Sequence, residues 1–348
     1  MNEKIFYNAL NIVTESNYAK LSSLLKKYQS WEKAWQKTNT LFESKINPSE
    51  EWGRLEKHEM GLILESEPEY PALLRETQSP PLGIYVLGKG GMANPESKSI
   101  AIVGTRKATE GGREIARSFS SNLATLKIQI VSGLAIGIDS EAHWGAIEAG
   151  GQTIAVVATG LDTIYPKLNE KLAKKIIEAG GFIISEYPIG APAIPYRFLE
   201  RNRIVSGLAD ATLVIEAPEK SGSLVTAKLA AEAGRTVYVV PGSIHHPNYR
   251  GSHALIRDGA ILVTHPEEII EDLIPEYNPT RTSNQLSLLS EEEMLIVNAI
   301  QNSRGTLTID KIIELTNLNA KTTNQLVSLL LIKRFIKETS LGYTTHNS

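Results

Sequence analysis

From Ile5 to about Lys57, apolar residues recur at intervals of three and four, in "IFYNALNIV", "YAKLSSLLKKY" and "WEKAWQKT". No stretch there alternates as a strand would. The period predicts amphipathic helices, and hence a small helical domain over residues 1–65. Trp31 and Trp35, one turn apart, are expected in its core. From Tyr70 to Ile274 the texture reverses. Short apolar runs ("SIAIVG", "QIVSGLA", "TIAVVATG", "GFIISE", "ATLVIEA", "TVYVVPG" and "AILV") alternate with helical stretches such as "GGREIARSFSSNLATL" and "NEKLAKKIIEAG". Continuous apolar strands separated by helices predict a parallel sheet covered on both faces. The expected fold class is α/β, a doubly wound, mostly parallel sheet over residues 66–274. Such sheets bind ligands past the carboxyl ends of their strands, near the switch in strand order.

The polar, proline-containing stretch "PEYNPTRTSNQLS" predicts a linker over residues 275–288. Residues 289–348 read as three helices and a hairpin turning at Gly342, the order of a winged-helix domain. The second helix of its tight pair, "NAKTTNQLVSLLLI", carries only Lys321 as a charge. That is poor equipment for phosphate contacts, and protein contact is at least an equal expectation.

Composition narrows the class. The chain of 348 residues is 42% hydrophobic and 22% charged, ordinary values for a globular protein of two or three domains. It has no cysteine, which excludes disulfides and thiolate metal sites and fits a reducing compartment. The first residues lack the pattern of a signal peptide, and no apolar run approaches a membrane span. A soluble, cytoplasmic protein with no membrane association is expected. The net charge of −3 does not advertise nucleic-acid binding, so any polyanion site must be a local patch.

The loops that follow the strands carry the candidate chemistry. "SIAIVG" runs into Gly104, Thr105 and Arg106 ahead of a helix, a junction that offers free N–H groups and a planar guanidinium to an anion. "ATLVIEA" leads to Ser221, Gly222 and Ser223 before another helix, where Ser223 is an expected cap and a second phosphate has a place. Lys167 and Asn169 sit where a helix begins, and a lysine there opposes the helix dipole unless an anion lies between them. In "FLERNRIVSGLADA", Arg201, Asn202 and Arg203 stand beside an interior-type stretch, with Phe198 on the same helical face as Arg201. Two guanidiniums there are costly to desolvate unless something anionic meets them. Each feature also has a plain structural reading: internal ion pairs, caps, a solvated lysine, a core phenylalanine. Jointly they favour an extended anion over one small phosphate.

Candidate catalysts are scarce. Asp139 and His143 have the i, i+4 spacing of metal ligands, but no third ligand is evident, and a helix cap with a satisfied histidine is the better reading. His245 and His246 read as a solvated loop. Glu186 and Glu216 end strands, yet no nucleophile–base pair emerges and no P-loop occurs. No metal and no cofactor are expected.

The segments "IAIVGTR", "VSGLAIGIDSEAH", "GLDTIYPKLN", "SEYP", "FLERNRIVSGL", "KSGSLVTA" and "VPGS" occur in that order. Together they closely resemble the DNA-processing protein A family (DprA, also called Smf) from about Pro71 to Leu273. The resemblance implies an extended Rossmann-like domain that binds single-stranded DNA, protects incoming DNA and loads the recombinase RecA during natural transformation, as a homodimer and without catalysis. It also implies a SAM-like helical domain before this core and a winged helix after it. Carried over, it makes Arg106 of "GTR" and Lys167 of "YPKLN" DNA-contacting cations. It places Phe198, Arg201, Asn202 and Arg203 in an F-x-x-R-N-R signature, and Ser221, Gly222 and Ser223 in an S-G-S signature. Four phosphates gripped by Arg106, Lys167, Arg201 and Arg203 imply a log–log salt slope of about −2.8. The family often has a glycine-containing hairpin in its N-terminal region; "VTESNYAK" stands in that place here, which puts DNA contact by that domain in doubt. The competing expectation is a nucleotide-processing enzyme of phosphoribohydrolase type on a similar sheet. Its P-G-G-x-G-T signature is missing, and "PGSIHH" does not replace it.

Overall fold

The computed structural model describes residues 2–42, 46–88, 97–277, 290–303, 306–333, 335–339 and 342–345. Residues 1–275 form one compact unit and residues 276–348 a second. The first begins with α1 (Asn2–Val13), α2 (Tyr18–Tyr28), α3 (Trp31–Thr38) and α4 (Pro48–Lys57). Asn17, Ser30 and Asn47 cap the last three through side-chain oxygens, as polar residues at helix starts should. Trp31 and Trp35 are buried, and Tyr7 meets Trp31 edge to face at 5.0 Å.

Two strands precede the first of the apolar runs. β1 (Gly61–Leu64) and β2 (Gly83–Leu87) pair antiparallel, and β2 lies antiparallel on β6 (Phe182–Ser185). The helix α5 (Ala72–Arg75) lies between them. The other strands are β3 (Ser99–Val103), β4 (Gln129–Ser132), β5 (Thr153–Val156), β7 (Ala211–Val214), β8 (Thr236–Val239) and β9 (Ile261–Leu262). The sheet runs β1-β2-β6-β5-β4-β3-β7-β8-β9, parallel from β6 to β9. The chain enters the parallel part at β3, builds outward through β4, β5 and β6, then returns to set β7 on the other side of β3. The switch in strand order therefore falls between β3 and β7. The crossovers carry α6 (Glu110–Thr125), α7 (Ile138–Glu148), α8 (Glu170–Glu178), α9 (Pro195–Gly207), α10 (Gly222–Glu232) and α11 (Arg250–Arg257), and α12 (Pro266–Leu273) closes the unit.

Strand alternation sends alternate side chains into two cores. Ile154, Val156 and Ile184 pack on one face with Val205 of α9, Leu208 just past its end and Ala227 of α10. Ala155, Val157 and Ile183 pack on the other with Leu172 of α8 and with Tyr7, Leu10 and Trp31 of the N-terminal helices. Those helices thus share a core with the sheet. Buried polar groups add to the joint: the Asn11 amide donates to the Tyr85 hydroxyl at 3.1 Å and to the Glu186 carbonyl at 3.0 Å.

In the second unit, helices Glu291–Asn302, Ile309–Thr316 and Ala320–Ile332 precede a hairpin of Ile336–Thr339 and Gly342–Thr345. Ile296, Ile300, Ile312, Leu330 and Ile336 form its core. Gly342, where the turn was expected, instead opens the second strand, in register opposite Thr339; residues 340–341 lie outside the described residues, as does the expected linker from residue 278 to 288. Among the described residues, no helix is long and apolar enough to cross a membrane.

Candidate nucleic-acid interface

A cleft of about 280 Å³ opens at the carboxyl ends of β3, β4 and β7, beside the switch in strand order. Its floor and walls come from distant segments. Gly104, Thr105 and Arg106 enter after β3, Gly133 and Ala135 after β4, Phe198, Leu199, Arg201 and Asn202 from α9, and Lys220 through Ser223 after β7. Nine of the expected site residues meet here: Gly104, Thr105, Arg106, Phe198, Arg201, Asn202, Ser221, Gly222 and Ser223.

The backbone is held closely. Thr105 N–H donates to the Glu216 carbonyl at 2.7 Å, and Lys107 N–H to the Thr105 hydroxyl at 3.2 Å. Gly104 has no room for a side chain, since a Cβ would lie 2.5 Å from Ile138. On the opposite wall Ser221, not Ser223, caps α10: its Oγ accepts from Ser223 N–H at 3.3 Å and lies 2.6 Å from the Ser223 Oγ. Asn202 donates to the Gly222 carbonyl at 3.2 Å, tying α9 to the start of α10. Ser221, Gly222 and Ser223, at the start of α10 and so at the positive end of its dipole, line the cleft. α6 begins only at Glu110, capped by Thr109, so the loop 104–109 separates its N-terminus from β3.

Arg106 is exposed, and its guanidinium lies over the Phe198 ring at 5.3 Å. Phe198 in turn meets the Tyr165 ring at 5.5 Å. That contact brings the loop after β5 to the rim of the cleft. Lys167 is exposed on that loop, in the short 3₁₀ turn Lys167–Asn169. Asn169 is buried, and its amide donates to the Leu134 carbonyl at 2.8 Å. It anchors the loop, while Lys167 is left facing solvent.

The other two arginines find their partners inside the protein. Arg201 is 4% exposed and donates to the Val156 carbonyl at 2.8 Å. It shares the space beside Gly133 with the buried Asp139 carboxylate, which accepts from Gly133 N–H at 3.1 Å and Ala135 N–H at 3.4 Å. Burial draws the Arg201 guanidinium below its ordinary value, and the Asp139 charge pulls it back. Burial likewise pushes Asp139 up, against Arg201 and the two amides. Arg201 still forms part of the cleft wall, and its Nε has no hydrogen-bond partner among the described residues. Arg203 is not among the residues lining the cleft. It donates to the Ser79 carbonyl at 2.7 Å, pairs with the buried Glu186 carboxylate and lies 5.8 Å over the Tyr18 ring.

The candidate acids and bases are also engaged. Glu216 accepts from Thr109 N–H at 3.0 Å, the Thr109 hydroxyl at 2.5 Å, Asn248 at 2.9 Å and the Tyr249 hydroxyl at 3.1 Å. Burial alone would raise its pKa; the Thr109, Asn248 and Tyr249 hydrogen bonds outweigh it and hold the carboxyl below its usual value. His143 is buried in α7 with Nδ1 2.7 Å from the Thr153 hydroxyl, and desolvation lowers it to about 3. His245 is exposed, and His246 Nδ1 accepts from Asn248 N–H.

Sequence reasoning passed over Lys220, Tyr165, Leu199 and Gly133. Lys220 carried a signal, being a cation immediately ahead of "SGS". The others matter only through neighbours that the fold supplies.

The family model described as DNA recombination-mediator protein A matches residues 61–274. Protein Smf of Escherichia coli is 45% identical over 204 residues, 59% of this chain, and the match spans little more than half of that relative, 54%. The X-ray structure of DNA processing protein A from Streptococcus pneumoniae has a TM-score of 0.60 at 34% identity, covering 67% of this chain and 80% of that one. DNA processing protein A from Helicobacter pylori, whose structure is described for its single-stranded DNA binding mode, has a TM-score of 0.57 at 29% identity, covering 63% of this chain and 97% of that one. A family model that fits from β1 through α12, over a sheet with this strand order and this cleft, places the chain, itself similar to the DprA and Smf proteins, in the DNA recombination-mediator protein A family.

Proposed function

We propose that the cleft binds single-stranded DNA and performs no bond-breaking step. One observation carries the reading: the exposed Arg106 guanidinium, stacked on Phe198, faces the amide-bearing start of α10 across a cleft that also has Lys220 at its edge. Amides and guanidiniums bind phosphate without reading sequence, so base preference is slight. Arg201 sets the wall from within, and Arg203 joins α9 to Glu186. The DNA-processing names of the Streptococcus pneumoniae and Helicobacter pylori proteins and the single-strand binding described for the latter support the same reading. Glu216, with its carboxylate oxygens taken up by Thr109, Asn248 and Tyr249, is poorly placed to act as a base.

Protection of incoming strands, loading of RecA and a homodimeric state belong to the same proposal through the family resemblance. So do a SAM-like identity for the N-terminal helices and a winged-helix identity for residues 289–348. The deciding experiment is a salt-series titration with homopolymeric single strands and duplex. The exposed cations Arg106, Lys167 and Lys220 give an expected log–log slope of about −2 on single strands. Arg106→Ala weakens binding to all sequences alike. A slope near zero, or unchanged affinity in that variant, overturns the proposal.

A further inference from the structure

Among the described residues of the first unit, nine large apolar side chains are exposed. Six of them, Ile136, Tyr165, Leu168, Tyr196, Leu199 and Ile244, lie on segments that follow the carboxyl ends of β4, β5, β6 and β8. The other three lie on α10 and β9. Leu168 is 82% exposed, Leu199 53%, Tyr165 47% and Ile136 39%. One such side chain on a surface is ordinary, but a concentration at one rim marks a binding surface. The geometry ties Leu199, Tyr165 and Ile136 to the cleft, and Leu168 follows Tyr165 on the same short loop. Leu199 lines the cleft, Tyr165 touches Phe198 at its mouth, and Ile136 adjoins the lining residue Ala135. Tyr196 and Leu199, three apart on α9, share a helical face that continues outward from the cleft.

Cations are interleaved with these apolar groups. Lys167 stands between Tyr165 and Leu168, and Arg106 lies over the ring that Tyr165 touches. Protein-binding surfaces are depleted of charge at their centres. Apolar and aromatic groups set among cations suit an occupant that is a polyanion with flat apolar faces. We propose that Tyr165, Leu168, Leu199 and Ile136 form a platform for the unpaired bases of the strand. This platform makes the site prefer single strands, since in a duplex the base faces are stacked away. The inference rests on the reading of the cleft as a single-strand site and adds the residues that set its selectivity.

The test compares Leu168→Ser, Leu199→Ser and their combination with the unaltered full-length chain. The probes are an oligothymidylate, an oligomer of equal length with abasic central nucleotides, and a duplex of equal length. These side chains are solvent-facing, so thermal unfolding should be unchanged. Each substitution is expected to weaken oligothymidylate binding about fivefold or more, while affinity for the abasic oligomer and the duplex, and the salt slope, stay as they were. A 2-aminopurine base in the oligomer should be quenched by the unaltered chain and less so by the variants. Equal losses on normal and abasic oligomers overturn the platform, and so does no loss on either, the result expected if the rim docks a protein. Arg106→Ala separates the two levels. If it weakens all probes while the rim variants change nothing, only the platform fails; if it too changes nothing, the single-strand reading fails.

Discussion

Gly133 shows how little freedom the centre of the site has. A Cβ there would fall 1.8 Å from the Arg201 Nη1 and 2.7 Å from the Asp139 Oδ2. Gly133→Ala must displace a buried cation or a buried carboxylate, and is expected to cost about 3 kcal/mol in thermal or urea unfolding. Arg203 makes a different residue-scale case. Its partner Glu186 is 6% exposed, and burial holds that carboxyl above its ordinary 4.5 against the pull of Arg203. Removing Arg203 strands a buried charge, so Arg203→Ala should lose about 3 kcal/mol at neutral pH. The sign with pH follows from linkage. Arg203 stabilises only the ionised carboxylate, and without it burial pushes Glu186 higher still, so the deficit is full above the variant's folded pKa, shrinks as pH falls below it, and is gone below that of the unaltered chain. Urea unfolding at neutral and acid pH reads the difference; a pH-independent deficit would assign Arg203 to packing on Tyr18 instead.

Between elements, Glu216 acts as a junction. Its carboxylate joins the end of β7 to the cap of α6 through Thr109 and to the 247–249 turn through Asn248 and Tyr249, and Asn248 also donates to the Lys107 carbonyl at 3.0 Å. The loop bearing Arg106 is therefore held from behind. Glu216→Gln replaces one of two accepting oxygens by an NH2 donor in a site where four donors converge, and is expected to cost about 2 kcal/mol. In the unaltered chain Glu216's folded pKa is depressed, so its contribution is present above the unfolded value and lost as pH falls through the folded one. The gap between the variant and the unaltered chain should close in acid, as measured by unfolding over a pH series. The elements themselves were unequally legible. β3 to β9 announce themselves as continuous apolar runs between helices. β1 and β2 do not: "GLIL" and "GIYVL" are short, belong to no strand–helix alternation, and become strands by pairing antiparallel beyond β6.

For the whole molecule, residues 1–275 form one compact unit, and every residue lining the cleft belongs to it. A chain ending at Pro275 is expected to keep its unfolding transition and its affinity for a short oligothymidylate within about twofold of full length, since independent sites add; a titration checks this, and a large loss would mean that the second unit contributes to short-strand binding. Periodicity and residue type alone determined the doubly wound sheet, the rim where such sheets place a ligand, and the presence there of Arg106, Lys167 and the "SGS" helix start, because these are local properties of a strand, a turn or a helix end. Only the tertiary structure decided which cations remain available. Arg201 and Arg203 are as basic in sequence as Arg106, but their hydrogen-bond partners, the Val156 carbonyl and the Glu186 carboxylate, lie on other elements. Whether a charge faces solvent or an internal partner depends on which distant backbone the fold brings beside it.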